Sequence, residues 1–511
     1  MKKAKIIALF LMVFIVFILI LGCGGGGGSK NADNAASTNS DANGTTAAAA
    51  SDDAAVKSTN SIEDKPAYDE LPVTDLNGYK FRVISRSQQA NAHWYNIDIS
   101  AEAENGDAIN DAIYKRNKTI EDKYNITIVN TPETDVFGKA NKSIKAGSDD
   151  YDLIVIGLNG GQENLSTQGE LMDLKNMPHV DLTKAWWDQK AVQQLSINNK
   201  LFAACNDLTI RDKDAIIILM FNKQLIQTSG LEDPYQLVTS GQWTLDKMET
   251  MAKAASKDLN GDGVINDEDQ LGLLTQQKHS QYLFNGTGEY ISKVNAQDIP
   301  EITMFNDRAV SVCDKIKEIM GNKNISLNAD DYSSKYADVW DGFQVPMFAE
   351  GRALFYHAGM NRVTLLRTME TDFGILPPPK FDENQTNYYA SVDSWCTSAV
   401  SVPITVSDKD RTGLILEALT YESRYTLLPA YYDINLKTKF ARDDESKAMI
   451  DIILTNRLYD LGDMYGWGSA SSFFMDMSKG KDVSLTTYWD KNGSKIQAAM
   501  QKTVDKLNLL D

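Results

Sequence analysis

Apolar and polar positions change rhythm repeatedly along the chain, and each rhythm predicts an element. Lys80-Phe81-Arg82-Val83-Ile84-Ser85 reads as a strand after the turn pair Asn77-Gly78. Ile109, Ile113, Ile120 and Tyr124 recur at helical spacing, with Lys115, Arg116, Glu121 and Lys123 elsewhere around the wheel, so a helix is expected over 110–124. Asn125 to Val129 alternates like a strand, and Asp152 to Gly157 is a short apolar run of the kind buried on both faces. Further strands are expected near Ala203 and over 216–221, 353–356, 373–376 and 399–402. Pro377-Pro378-Pro379 stops the fourth, because proline cannot continue a ladder. Thr244 to Ser256 reads as a helix with Met248, Met251 and Ala255 on one face, and helices dominate the end of the chain. Strand, helix, strand, strand in this order predicts an α/β lobe with a largely parallel sheet.

The first residues follow a different pattern. Three lysines within Met1 to Lys5 precede an unbroken apolar run from Ile6 to Leu21, closed by Gly22 and Cys23. A positive start, an apolar core and a small residue before the cut are the parts of a secretory signal, here 1–22. Ile20-Leu21-Gly22-Cys23 resembles a bacterial lipobox, in which the cysteine receives a diacylglycerol with palmitate-type chains. Residues 23–66 then read as the lipidated Cys23 and a disordered Gly/Ser/Asn/Ala stalk that cannot bury enough surface to fold. The expected location is the outer face of the cell membrane, held by the lipid.

Composition narrows the chemistry. A formal net charge of −19 argues against nucleic acid or an anionic lipid surface as the main partner. Apart from Cys23 the cysteines are Cys205, Cys313 and Cys396, too few for a disulfide framework. The four histidines, His93, His179, His279 and His357, have no zinc-site spacing, and no P-loop, HExxH or GxSxG is present. The chain offers little support for an enzyme.

One local motif is sharp. Asp258, Asn260, Asp262, Val264, Asn266 and Asp269 place oxygens at positions one, three, five, seven, nine and twelve of a loop with Gly263 at six. That is the spacing of an EF-hand-type calcium loop, with Val264 giving its carbonyl and Asp269 replacing the usual glutamate. The expected cofactor is a structural Ca2+; the plain alternative is an acidic surface turn.

Several segments, taken in order, resemble a known family. They are Asn110 to Asn117 with Lys123-Tyr124-Asn125-Ile126, Tyr151 to Val155, Gly169 to Leu174, and Ala185-Trp186-Trp187-Asp188. Further on come Phe221-Asn222-Lys223, Gly241 to Asp246, Met347 to Phe355, and Pro429 to Asp433 with Ala441-Arg442-Asp443. They resemble the family 1 extracellular solute-binding lipoproteins of ABC importers, the carbohydrate-related group. The resemblance implies a two-lobed, type II periplasmic-binding-protein-like α/β fold with a hinge and an interlobe cleft. It assigns 67–210 and 376–430 to an N-terminal lobe and 211–375 and 431–511 to a C-terminal lobe. It also implies a saccharide ligand, membrane permease subunits as partners, and a monomer.

Groups just beyond strand ends are the candidate ligand contacts: Arg86, Ser87, Asn159, Asn206, Asp207 and His357. Asp393 and Trp395 lie in a segment resembling a cleft-lining stretch of the family, and Trp467 lies in a glycine-rich loop. A neutral sugar read by aromatic platforms is expected. Each contact has a plainer reading: His357 as a core histidine, Asn159 and Asp207 as caps, and the tryptophans as packing. Trp186, Trp187 and Trp243 are expected to be structural, and Trp94 and Trp340 to be rim aromatics. A binder of peptide or another polar solute and a surface glycan hydrolase are the alternative functions; the second needs two carboxylates about 5–9 Å apart across the cleft.

Overall fold

The computed structural model describes Lys65, Tyr68 and residues 70–432 and 443–510, all within one compact unit. The signal, Cys23 and the stalk up to residue 64 lie outside the described residues, as do Asp433, Ala441 and Arg442. Among the described residues no helix is long and apolar enough to cross a membrane.

Strand β1 (Tyr79–Arg86) starts where Asn77 and Gly78 take left-handed φ values of 56° and 74°. β2 (Ile126–Glu133) and β3 (Leu153–Ile156) lie parallel to β1 on its two sides. The helix Ala108–Tyr124 joins β1 to β2; the Asp107 carboxylate accepts from the Ile109 and Asn110 N–H groups at its start, and left-handed Asn125 ends it. Helix Val136–Lys145 then returns the chain to β3.

The remaining strands are β4 (Ile217–Asn222), β5 (Leu271–Thr275), β6 (Ser292–Val294), β7 (Pro300–Ile302) and β8 (Ser326–Asn328). They are followed by β9 (Ala353–Gly359), β10 (Phe373–Leu376), β11 (Ala390–Ser391), β12 (Ala399–Ser401) and β13 (Arg457–Leu458). β12 adds antiparallel to β3, so the first sheet runs β12-β3-β1-β2. The second sheet runs β10-β4-β9-β5-β8 and is mixed: β4 is antiparallel to both neighbours, and β5 is parallel to both of its own. Its strands β4, β5, β9 and β10 are buried along their whole length, as their near-continuous apolar runs require. Gly272 lets the helix Leu245–Ala255 lie directly on β5, since a Cβ there would come within 2.3 Å of the Ala252 carbonyl oxygen. The strand expected at Ala203 is reduced to a single bridge between Ala204 and Val400.

The chain passes between the sheets near 205–216, again over 377–398, and once more after the helix Lys409–Tyr425. That helix lies with the first sheet, where Ser423 accepts from the guanidinium of Arg116. The helix Asp444–Thr455 lies on β10, where the Ser446 hydroxyl accepts from the Ile375 N–H at 3.3 Å. The first two passages are tied together by the bridge Ile216 to Val392 and by the Asp393 N–H donating to the Ala215 carbonyl at 2.9 Å. The last helix, Leu485–Asn508, touches elements of both halves. Trp489 stacks on Phe305 near its start, and Lys200 donates to the Leu507 carbonyl near its end.

Three tryptophans are structural. The indoles of Trp186 and Trp187 donate to the two oxygens of Glu417 at 2.8 and 2.9 Å, and Trp243 donates to the Pro377 carbonyl at 3.0 Å.

Candidate functional site

The carboxyl ends of β1, β3, β5 and β9 converge on the second passage. β1 ends at Arg86, whose guanidinium donates to the Trp94 and Trp395 carbonyls, each at 3.1 Å. The same guanidinium lies 5.1 Å from the centre of the Trp395 ring, in cation–π position. After β3, the Asn159 N–H donates to the Ser394 carbonyl and its side-chain amide donates to the Asp463 and Met464 carbonyls. Gly157 admits this arrangement: a Cβ there would lie 2.7 Å from Arg86 Nη2 and 2.8 Å from the Trp395 oxygen. Trp395 itself is 41% exposed, so a large aromatic face stands open at the meeting point of both sheets.

From the second sheet, Lys278 reaches Asp393 at 3.6 Å and Asp463 at 3.3 Å. Burial pushes the Lys278 pKa down, but these two carboxylates outweigh it and the net shift is upward. Burial alone would raise Asp393; Lys278, Tyr282 and the Cys396 and Trp395 N–H groups hold it below the usual carboxylate range. Behind them His279 and His357 pack edge to face with ring centres 4.8 Å apart. Burial drives His279 down to about 4 and His357 well below its ordinary value, so both are neutral. Neither ring nitrogen of His357 has a hydrogen-bond partner among the described residues.

A second contact between the halves lies beside this centre. His93 Nδ1 faces Asp341 at 2.6 Å and its Nε2 faces Asp338 at 3.5 Å, with Trp340 edge-on to the ring and Arg362 on Asp341 at 3.0 Å. Each ring nitrogen faces its own carboxylate, so the group clasps the two halves together. It borders a cavity of about 210 Å³ that Arg211, Asp214, Arg362, Leu365 and Tyr431 also line.

Of the residues expected at the site, Arg86, Asn159, Asp393 and Trp395 come together there. His357 stands behind them as a buried core side chain. The others are placed elsewhere. Ser87 is buried in the turn after β1, where its hydroxyl accepts from the Ala90 N–H. Asn206 donates to Thr420 and accepts from the Leu208 N–H, and Asp207 pairs with Lys213 and Arg424. Trp467 is buried, stacked on Tyr465, and donates to the Thr503 hydroxyl on the last helix. Of the two rim aromatics, Trp340 is exposed and Trp94 is buried. Lys278 and His279 were not singled out by the sequence; the strand-end rule finds them once Leu271–Thr275 is recognised as a strand.

The acidic loop is separate and held by hydrogen bonds of its own. Lys257 and Gln270 close its base as an antiparallel bridge, and buried Asp269 accepts from the Leu259 and Asn266 N–H groups, each at 2.9 Å. Asp258 accepts from the Gly261 and Gly263 N–H groups at 2.7 and 2.8 Å, and these bonds hold its carboxyl below the usual range. Gly261 and Gly263 have φ of 78° and 81°, which the turn requires. Ile265 packs on the core while Val264 is exposed. The hard oxygens of Asp258, Asn260 and Asp262 with the Val264 carbonyl are a donor set suited to calcium.

The fold has solved counterparts of low sequence identity. UspC of M. tuberculosis superposes with a TM-score of 0.53 at 14% identity, over 82% of this chain and 100% of that one. A cyclo/maltodextrin-binding protein complexed with maltotetraose gives 0.51 at 16% identity, over 84% and 97%. A sugar transporter from Rhizobium etli in an open conformation gives 0.52 at 12%, over 85% and 100%. The chain therefore has the two-lobed type II periplasmic-binding-protein-like fold. No protein-family model and no curated protein sequence matches it.

Proposed function

We propose that this chain is the solute-binding component of an ABC importer and captures a saccharide where the two sheets meet. The observation that carries this is Trp395. Its half-open indole sits at the carboxyl ends of strands from both sheets, ringed by polar side chains of both halves. A flat aromatic face beside convergent polar groups suits the C–H face and hydroxyls of a sugar ring. The shared fold with a protein complexed with maltotetraose supports the same reading. The lipobox-like start and polar stalk support a tether to the outer face of the membrane, near the permease, with the chain acting as a monomer.

A binding role fits the chemistry better than hydrolysis. Asp393 and Asp463 both face Lys278, and Asp393 is held ionised, whereas a general acid needs a raised pKa. Calorimetric titration of the protein with a broad panel of oligosaccharides tests the proposal. Binding accompanied by a tryptophan fluorescence change is expected, and silence across the panel would sink the saccharide reading.

The acidic loop is proposed to hold one structural calcium ion, through Asp258, Asn260, Asp262, the Val264 carbonyl, Asn266 and Asp269. Calcium added to chelator-treated protein is expected to raise the thermal midpoint by a few degrees, because an ion that binds only the folded state stabilises it. The Asp258→Ala variant should lose this response; an unaltered midpoint in the unsubstituted chain, with and without calcium, would refute the assignment.

A further inference from the structure

The cations where the two halves meet are treated unequally. Lys278 faces Asp393 and Asp463, Arg211 faces Asp214 at 2.6 Å, Arg362 faces Asp341, and Lys213 faces Asp212 at 3.0 Å. Arg86 has no carboxylate within ion-pair distance among the described residues, although it is only 8% exposed. Burial is the main effect disfavouring its charge; Cys396 counters this, Arg211 adds to it, and the more distant Asp393 counters it least. A buried charge without a counter-charge is unfavourable unless its hydrogen bonds are all made.

Arg116 shows what a fully satisfied buried arginine looks like in this chain. It is completely buried, and its Nε, Nη1 and Nη2 bond to the Asn117 side chain, the Leu208, Asp98 and Ile99 carbonyls and the Ser423 hydroxyl. A guanidinium carries five N–H donors in a planar fork. Those of Arg116 are all occupied. Those of Arg86 are engaged only toward the Trp94 and Trp395 carbonyls, and its Nε has no protein acceptor among the described residues. The guanidinium lies beside the open Trp395 ring and packs closely against Gly157.

We propose that Arg86 is the subsite for an acidic group, and that the captured saccharide bears a carboxylate or an equivalent anion, as a uronate does. The inference rests on the saccharide reading given above and replaces the neutral sugar expected from the sequence with an acidic one. A carboxylate on the sugar completes the pairing of the fork, while the ring stacks on Trp395. Arg86 thereby sets specificity as well as affinity.

The test uses the full chain and matched ligands: galacturonate and glucuronate oligosaccharides, their methyl esters, neutral malto- and cello-oligosaccharides, and citrate as an anion without a sugar ring, each titrated calorimetrically. An acid is expected to bind about 30- to 100-fold more tightly than its ester, the range for losing one partner of a buried charged hydrogen bond. Arg86→Gln should weaken the acid far more than its ester and so abolish that preference, with Arg86→Lys intermediate. Equal or tighter binding of the neutral sugars would overturn the acidic subsite and leave the saccharide reading standing. Equal losses for acid and ester in Arg86→Gln would also overturn it, reducing Arg86 to a prop for Trp395. Arg86-dependent binding of citrate with no sugar bound would uphold the anion subsite and overturn the saccharide. Silence toward every ligand would overturn both.

Discussion

Trp395→Ala is expected to weaken solute binding by roughly 30-fold or more, equivalent to the ~2 kcal/mol typical of a buried aromatic anchor. The reason lies in what the ring does and does not touch. Its exposed face is free for a ligand, and its neighbours include the Arg86 guanidinium and Gly160, where a Cβ would stand about 3.4 Å from the ring. The backbone at 395 carries the structural bonds. Its N–H donates to Asp393 at 2.9 Å and its carbonyl accepts from Arg86, and an alanine keeps both. The thermal midpoint should therefore barely move, and Trp395→Phe should recover part of the affinity. Calorimetry on the ligand found by the oligosaccharide panel measures the loss; unchanged affinity in the alanine variant would remove Trp395 from the site.

The second large effect is on stability against pH. Burial raises the Glu417 carboxyl to about 7, despite the bonds it accepts from Trp187, Trp186 and Tyr68. Its ordinary value is 4.5. Between these values the folded chain holds a proton that the unfolded chain has already lost. Stability must therefore fall as pH rises through this window, and the loss is complete above the folded pKa. A shift of this size corresponds to ~3 kcal/mol. Asp460, which burial raises to about 6, acts in the same direction. Urea unfolding at intervals from pH 5 to 8 should show the decline. Glu417→Gln has no proton to lose, so its stability should fall less between pH 5 and pH 8 than the parent's, although its amide NH2 faces one of the two indole N–H donors and lowers stability at every pH. Parallel stability curves for the two proteins would refute the assignment.

Much of this fold can be read where the pattern is local. β1, the helix after it, β3, β4 and β10 all follow from alternation, helical spacing or a bounded apolar run. The site was harder because it is assembled from segments without a period of their own. Lys278 and His279 follow β5, a run of only five residues interrupted by Gly272. His93 lies in an irregular stretch after β1, and nothing in its neighbours announces Asp338 or Asp341 from 245 residues and more away. Asn206 and Asp207 were placed by a strand-end rule where the structure has only a bridge, so they serve the passage between the sheets instead of the cleft. The glycines around Trp467 suggested an open loop. In the structure Gly466 and Gly468, with φ of 58° and 59°, turn that ring inward, and Gly468 passes so close to the last helix that a Cβ would meet Ile496 at 2.7 Å.

Trp395 belongs to the second passage between the sheets, and that passage is hydrogen-bonded to the first. A side chain mounted on the axle stays in place when the two wheels turn. If the halves rotate about these joined passages, Trp395 keeps its position while Lys278 and the other contacts sweep toward or away from it. The ligand can then dock on a stationary face before closure, and the rotation changes only the groups that surround it.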